Sequence, residues 1–228
     1  MYFFEDIFLL FYPKICLNCE KQLNKHEKVL CLNCRFELPQ THFSEKAANT
    51  LEETFYGRVN IEFATSLFYY QRKGVVRNLI HQLKYNNQQA VGTFLGTWLA
   101  KELLETKRCP VLDYIVPVPL HQNKLKSRGY NQVAKFGEVL AKELQIPYND
   151  SILLRELDTH TQTAKSRVDR FENLKEKFYV ANTTTFKNKH ILLIDDVITT
   201  GATVEACVIK LQQCEGITVS IATMAYSA

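Results

Sequence analysis

The sequence predicts an α/β protein in which a mostly parallel sheet has helices on both faces and follows a small four-cysteine module. Strand-like and amphipathic helical segments alternate along most of the chain. The strongest strand, residues 190–194, is almost wholly aliphatic, as is usual for strands buried on both faces. Four cysteines form two close pairs near the start. We therefore divide the chain into an N-terminal helix with a cysteine module, residues 1–45, and a sheet domain, residues 46–228.

Composition is that of an ordinary globular protein. Of the 228 residues, 46% are hydrophobic and 23% are charged, which supports a sizeable core and argues against disorder. The formal net charge of +4 permits anionic ligands. It falls short of the strongly basic surface of a dedicated nucleic-acid-binding domain.

The first residues are apolar but do not resemble a signal peptide, because Glu5 and Asp6 stand where a basic start would be needed. Four aromatic or aliphatic residues have helical spacing: Phe4, Ile7, Phe8 and Phe11. No apolar run approaches the length of a membrane span. We expect a short amphipathic helix docked on the body of the protein, with membrane contact as the less favoured alternative, and a cytoplasmic location.

The four cysteines are Cys16 and Cys19, then, after eleven residues, Cys31 and Cys34. Paired Cys-x-x-Cys turns suit tetrahedral Zn²⁺, because each turn directs two thiolates at one point. Disulfides, a redox dithiol and an iron–sulfur cluster remain alternatives, although disulfides need an oxidising compartment. Four thiolates leave no position open for substrate, so we expect a structural zinc.

The spacing of apolar residues predicts the elements that follow. Residues 35–60 have mixed polarity and are predicted to be a connector. A strand at 63–70 leads into a helix at 74–84, where Val75, Leu79 and Leu83 share one face. The remaining predicted elements, in order, are a helix at 88–106, a strand at 113–118, a helix at 131–144, a strand at 190–194, a helix at 202–213 and a strand at 217–224.

The most specific motif begins where the aliphatic strand runs into Asp195 and Asp196. The residues that follow these acids are Val197, Ile198, Thr199, Thr200, Gly201, Ala202 and Thr203. Two carboxylates can accept hydrogen bonds from vicinal hydroxyls, and backbone N–H groups at a helix N-terminus can bind a phosphate. A Walker B strand would need a Gly-x-x-x-x-Gly-Lys-Ser/Thr partner, which the eight glycines do not supply. A plain core strand followed by a threonine cap is the simpler alternative.

A basic segment follows the predicted strand at 113–118. Lys124, Lys126 and Arg128 precede a predicted helix N-terminus near Asn131, and cations beside a helix N-terminus suit a second anion such as pyrophosphate. We therefore single out Lys124, Arg128 and Asn131, with a solvated basic loop as the alternative. The polar stretch 155–173, which includes Gln162, Arg167 and Arg170, is predicted to be either a mobile hood over the site or a surface excursion.

These segments together resemble the ComF family, whose fold is that of type I phosphoribosyltransferases, over nearly the whole chain. The matching segments are the two cysteine pairs, His81–Tyr85, Pro117–Pro119, Arg128–Gln132, Thr161–Gln162 with Arg170 and Asn173, and Asp195–Thr203. The resemblance implies binding of phosphoribosyl pyrophosphate (PRPP) with Mg²⁺. It implies that the catalytic acid pair holds the ribose hydroxyls and that the loop 197–203 holds the 5′-phosphate. It also implies a role in DNA uptake during competence, beside a helicase.

Two functional hypotheses remain open on the sequence. One is transfer of phosphoribose to a nitrogen acceptor, although no residue stands out as a base for that nitrogen. The other is a non-catalytic PRPP sensor or single-stranded-DNA adaptor, in which aromatic side chains next to basic residues stack bases. Two weak patches fit this second role: Tyr69 and Tyr70 with Arg72 and Lys73, and Tyr130 with Arg128.

Overall fold

The computed structural model describes residues 13–156 and 178–228. The strands in these ranges are β1 (Ala64–Tyr69), β2 (Tyr114–Pro117), β3 (Leu153–Arg155), β4 (Phe178–Val180), β5 (His190–Ile198) and β6 (Thr218–Tyr226). The helices are α1 (Leu32–Phe36), α2 (Thr50–Phe55), α3 (Val75–Tyr85), α4 (Gln89–Glu105), α5 (Gln122–Arg128), α6 (Ala134–Leu144) and α7 (Ala202–Leu211). Among the described residues, no helix is both long and apolar enough to cross a membrane.

Four parallel strands form the main sheet in the order β1-β6-β5-β2. The long central strand β5 therefore has a neighbour on each side, which is why its aliphatic residues are buried. Strands β3 and β4 form a separate antiparallel ribbon. All four carboxyl ends of the main sheet lie at one edge, where ligands of open parallel sheets bind.

The side chains of β5 alternate between two cores. Ile191 and Leu193 join the cluster formed with α2 and α7, whereas Leu192 and Ile194 join the cluster formed with α3, α4 and α6. This period of two is that of a strand with apolar side chains on both faces. The predicted fold class, a parallel sheet covered on both faces, is confirmed.

The cysteine module shares a core with the sheet domain. Cys16, Leu30 and Cys34 are buried in the same cluster as Val75 and Leu79 of α3. The chain that leaves the module runs beside β1, where the Thr41 N–H donates to the Leu67 carbonyl at 3.0 Å and the Tyr69 N–H donates to the Pro39 carbonyl at 2.8 Å. The boundary at residue 45 stays a prediction, since the two parts pack continuously here.

Several predicted elements need correction. The connector predicted at 35–60 contains α2, whose start is fixed by a capping box. The Asn49 side chain accepts from the Leu51 and Glu52 N–H groups, and the Glu52 side chain accepts from the Asn49 N–H. The helix predicted from residue 131 begins only at Ala134. The ribbon of β3 and β4 was not predicted, because its three-residue strands are too short to show a period. The predicted N-terminal helix lies outside the described residues.

Candidate functional site

The acid pair lies at the carboxyl end of β5, within the strand, which continues to Ile198. The Asp196 carboxylate is 7% exposed and is held on both sides. Its Oδ1 is 2.8 Å from Nζ of Lys84, on α3, and its Oδ2 accepts from Nε2 of Gln132 at 2.6 Å. A buried carboxylate needs such partners. Asp196 is therefore a firmly oriented acceptor, and a ligand hydroxyl at this group would meet Lys84 and Gln132 as well.

Gln132 connects Asp196 to the basic segment. Its Oε1 accepts from Nη1 of Arg128 at 2.8 Å, and the Arg128 guanidinium lies 5.3 Å from the centre of the Tyr85 ring, a cation–π contact. The Tyr130 hydroxyl donates to the carbonyl of Leu83. Residues 128–132 are thus anchored to the last turn of α3 and to the acid.

Asp195 has a different environment from its neighbour. It is partly buried, and its carboxylate accepts from the Asp196 backbone N–H at 2.8 Å. Burial and then the adjacent Asp196 charge raise the pKa of Asp195 to about 7, while Lys84 and Lys124 act to lower it. Asp195 is therefore held close to its point of ionisation at neutral pH. A cationic or hydrogen-bond-donating ligand favours the charged form.

The loop after β5 turns directly into α7. Gly201 has φ +76°, and a Cβ there would lie 3.0 Å from the Phe55 ring, so both the backbone angle and the close approach of α2 require glycine. Helix α7 begins at Ala202 without a side-chain cap, and Thr199 and Thr200 are exposed. Uncapped N–H groups at the positive end of a ten-residue helix, with threonine hydroxyls beside them, suit a phosphate.

Arg58 fixes one side of this loop, a role that its sequence context does not show. Its Nη1 donates to the carbonyls of Thr200 and Thr54 at 3.0 and 2.9 Å, and its Nε donates to the buried Glu205 carboxylate at 3.0 Å. Glu205 lies in the first turn of α7. Because Arg58 offsets the charge of Glu205, this carboxylate opposes an incoming anion less.

The structure brings together some of the residues chosen on the pyrophosphate side. Lys124 acts electrostatically on Asp195, and Arg128 reaches Asp196 through Gln132. The surrounding segment differs from the prediction, since Lys124 and Arg128 lie on α5 and not in a loop. Asn131 is not at a helix start: its Nδ2 donates to the Val118 carbonyl at 3.2 Å, and its Oδ1 accepts from the Val133 N–H at 3.3 Å. It acts as a brace for the turn.

The sequence analysis assigned no role to Lys84 or Gln132, and the predicted hood in the stretch 155–173 stays a prediction. Lys84 and Gln132 stand in segments that the resemblance singled out, yet neither received a role, because their contact with Asp196 spans 112 and 64 residues. No local signal reveals such a contact. Gln162, Arg167 and Arg170 lie outside the described residues.

The cysteine cluster has the dimensions of a four-thiolate metal centre. The Sγ atoms of Cys16, Cys19, Cys31 and Cys34 all lie within 4.8 Å of one another, and those of Cys19 and Cys31 are 3.6 Å apart. A ZnS₄ tetrahedron with bonds of about 2.3 Å has edges of about 3.8 Å. These residues can therefore hold a metal ion. All seven cysteines lie in the described ranges and are free thiols.

The thiols of the cluster have different environments: burial and the neighbouring thiols raise the pKa of Cys34 to about 12, against the effect of Asn18. Although burial acts to raise it, hydrogen bonds from backbone N–H groups lower the pKa of Cys16 to about 6. The Asn18 side chain donates from Nδ2 to Sγ of Cys34 at 3.1 Å, and its Oδ1 accepts from Nδ2 of Asn78 at 2.8 Å. Asn78 belongs to α3, the helix that carries Lys84. One helix thus contacts both the cysteine cluster and the acid pair.

A search against protein-family models found no match. Curated relatives were found. Competence protein F of Haemophilus influenzae is 31% identical over 194 residues, which cover 83% of this chain and 80% of that protein. The DNA utilization protein YhgH of Escherichia coli is 30% identical over 196 residues, with the same coverage.

Among solved structures, adenine phosphoribosyltransferase from Leishmania tarentolae is similar to this chain with a TM-score of 0.39. The two are 14% identical, and the match covers 83% of this chain and 94% of that one. The identity to competence protein F and the length over which it extends are sufficient to assign the family. This chain belongs to the ComF, or competence protein F, family.

Proposed function

We propose that this protein binds PRPP with Mg²⁺ and transfers phosphoribose to a nitrogen acceptor, with a role in DNA uptake. The observation that carries the proposal is the placement of Asp195 and Asp196 near the end of β5, a few residues before α7, whose N-cap residue Gly201 makes no side-chain cap bond. A sugar phosphate needs hydroxyl acceptors and an anion site a few ångströms apart, and a strand that ends in acids and turns into a helix supplies both.

In this proposal Asp195 and Asp196 are the catalytic acids and hold the ribose hydroxyls. The segment 197–203, which runs from the end of β5 into α7, surrounds the 5′-phosphate with N–H groups and with the hydroxyls of Thr199, Thr200 and Thr203. Arg58, paired with Glu205, donates to the Thr200 carbonyl and so supports this segment. Lys84, fixed 2.8 Å from Asp196, holds that carboxylate in position at the ribose.

Departure of pyrophosphate leaves positive charge on the sugar and negative charge on the leaving group. Lys124 and Arg128 lie on α5, which follows β2 in the chain, and can stabilise the leaving anion. Oxygen-rich groups are what Mg²⁺ prefers, and the acid pair beside a pyrophosphate offers them. When bound, Mg²⁺ would neutralise the charge that accumulates on the pyrophosphate. Gln162, Arg167 and Arg170 are proposed to cover the site and exclude water.

We assign the metal at Cys16, Cys19, Cys31 and Cys34 as a structural Zn²⁺. The chemistry of four clustered thiols favours zinc, and their enclosure against α3 leaves no substrate position. Free thiols throughout the described chain support a reducing, cytoplasmic location. The names of the relatives, competence protein F and DNA utilization protein, support a role in DNA uptake. A helicase partner is implied by the family resemblance alone.

A second candidate is a PRPP-sensing or single-stranded-DNA-binding adaptor without turnover. The observation in its favour is Tyr85, which is 65% exposed and carries Arg128 against its ring at 5.3 Å. Exposed aromatic rings with adjacent arginines are typical of surfaces that stack bases.

The test is calorimetric titration of PRPP with Mg²⁺ into zinc-loaded protein, followed by measurement of pyrophosphate release with mixed nucleobases or single-stranded DNA. We expect binding with release, and loss of binding at unchanged zinc content in the Asp195→Asn, Asp196→Asn double variant. Asp150→Asn, at an exposed position, is the matched control. Binding without release would favour the adaptor. If the double variant bound PRPP as tightly as the unmodified protein, the acid pair would not be the PRPP site.

A further inference from the structure

Helix α3 encloses a cavity beside the acid pair. The cavity has a volume of about 440 Å³ and is bounded on one side by Tyr70, which follows β1, and on another by Asp196 and Thr199, at the end of β5. Arg77, His81 and Tyr85 line it from α3. Small-molecule sites have volumes of about 300–1,000 Å³, so the cavity has room for a compact ligand or a part of one.

The cavity is continuous with the proposed ribose position, because Asp196 belongs to both. Thr199 marks the side where the phosphate loop begins. In the proposed pose the ribose hydroxyls lie at Asp196, and C1 is bonded to the carbon that bears the 2′-hydroxyl, so a group on C1 lies close to Asp196 and to this space. Whatever is attached to C1 has the cavity available to it.

The walls of the cavity favour a flat aromatic ring over a second anion. Lys84 is already paired with Asp196, so Arg77 supplies the surplus formal charge of the lining. Aromatic surface is more plentiful: the His81 and Tyr85 rings have their centres 4.8 Å apart, and Tyr70 also lines the cavity. A pyrophosphate would need more unpaired cations, whereas a heterocycle can stack on the rings and bond to His81 or Arg77.

The Tyr85 ring is also held in place before any ligand arrives, because it contacts both the His81 ring and the Arg128 guanidinium. The backbone of Tyr70 is fixed by its N–H, which donates to the Tyr226 carbonyl at 2.6 Å. Tyr85 nevertheless stays 65% exposed, so much of its apolar ring surface remains in contact with water. Rigid, exposed aromatic side chains lose little entropy on binding, which is what a stacking site needs.

We propose that this cavity is a nucleobase subsite, in which the base borne by C1 of the ribose lies between Tyr70 and the His81–Tyr85 pair. The inference rests on the proposed function, since it takes the ribose phosphate to be held by the acid pair and the phosphate loop. It names the acceptor class as a heteroaromatic base and the nucleotide product as the ligand that fills both parts of the site.

The experiment compares ribose 5-phosphate with adenosine 5′-monophosphate, and with the corresponding guanosine, cytidine and uridine monophosphates, by calorimetry on the zinc-loaded chain. Stacking contributes about 1–3 kcal/mol per base, so we expect at least one nucleotide to bind roughly 5-fold or more tighter than ribose 5-phosphate. Tyr70→Ala abolishes this preference while ribose 5-phosphate affinity stays unchanged. Tyr85→Ala also removes the ring beside Arg128, so for this variant the ratio of nucleotide to ribose 5-phosphate affinity is compared, and we expect that ratio to fall to about 1. Tyr70→Phe and Tyr85→Phe keep the preference, which separates loss of stacking from misfolding. Tyr56→Ala is the control, at a tyrosine that is 90% exposed and remote from the cavity lining.

Three results overturn the inference in distinguishable ways. If neither ribose 5-phosphate nor any nucleotide binds, the proposed function fails together with it. If ribose 5-phosphate binds and no nucleotide binds more tightly, the subsite alone is wrong. If an oligothymidylate binds through Tyr70 and Tyr85 and ribose 5-phosphate does not compete, these rings serve DNA independently of the ribose site.

Discussion

The cysteine cluster and the acid pair are both small polar sites, but the sequence specifies them in opposite ways. The four thiols come from one short stretch, Cys16 to Cys34. The first pair spans a turn, and the second spans the first turn of α1. Asp196 depends on Lys84 and Gln132, which are 112 and 64 residues away in the chain. The first site is a local structure that the fold accommodates. The second exists only once three separate elements have packed.

The two regions are nevertheless joined. Asn78 of α3 bonds to Asn18, which bonds to Cys34, while Lys84 of the same helix bonds to Asp196. Perturbing either end therefore tests how independent the regions are.

The largest effect is expected from Cys16→Ser with Cys31→Ser. Structural zinc contributes on the order of 10 kcal/mol to the folding of small zinc modules, so the double variant loses the metal and order in residues 14–35. Zinc content and limited proteolysis measure both changes. Cys109→Ser, outside the cluster, should keep its zinc. A metal-free double variant with unchanged protease resistance would show that the cysteines are not a folding centre.

An intermediate effect is expected for Asp195→Asn, through pH. The folded pKa of Asp195, about 7, lies above its ordinary value of 3.8, so the folded state holds the proton more tightly than the unfolded state. Its contribution to stability is complete below the unfolded pKa and is lost as pH rises through 7. Between pH 5 and pH 8 the unfolding free energy of the ligand-free protein should fall by on the order of 2 kcal/mol more than that of Asp195→Asn.

Urea denaturation at the two pH values measures this difference, because shared titrations, including those of the cysteines, cancel between the two proteins. Asp150→Asn serves as the control and should follow the unmodified protein. Parallel pH dependence in Asp195→Asn and the unmodified protein would mean that Asp195 is ionised throughout.

The smallest effect is expected for Asn78→Ala, which cuts the bond to Asn18 without touching a thiol. Loss of one partly buried hydrogen bond costs about 1 kcal/mol, and Cys34 loses support for its thiolate. Zinc should leave several-fold faster in the presence of a chelator. Asn86→Ala, which loses an exposed bond to Gln82 near the end of the same helix, should release zinc at the unmodified rate. Equal rates in both variants would show that the regions are independent.

The sequence predicted the parts of this molecule whose physics is local. The aliphatic run of β5, the cysteine pairs and the turn at Gly201 each lie within a few residues, and each occurs in the structure. Helix α2 was not predicted, although Asn49 and Glu52 have the spacing of a capping box and this local signal could have predicted its start. Lys84 and Gln132 carried no local signal, since their meeting at Asp196 is a consequence of tertiary packing.

The strand order also determines when the sheet can assemble during synthesis. In the sheet β1 pairs with β6, whose residues 218–226 are translated about 150 positions later. Until those residues leave the ribosome, β1 cannot pair with β6. The helices that follow β1 therefore have no complete sheet to pack against. The cysteine module packs on α3, which is translated within about 50 residues of Cys34, so the module and this helix can pack together while the sheet is still incomplete.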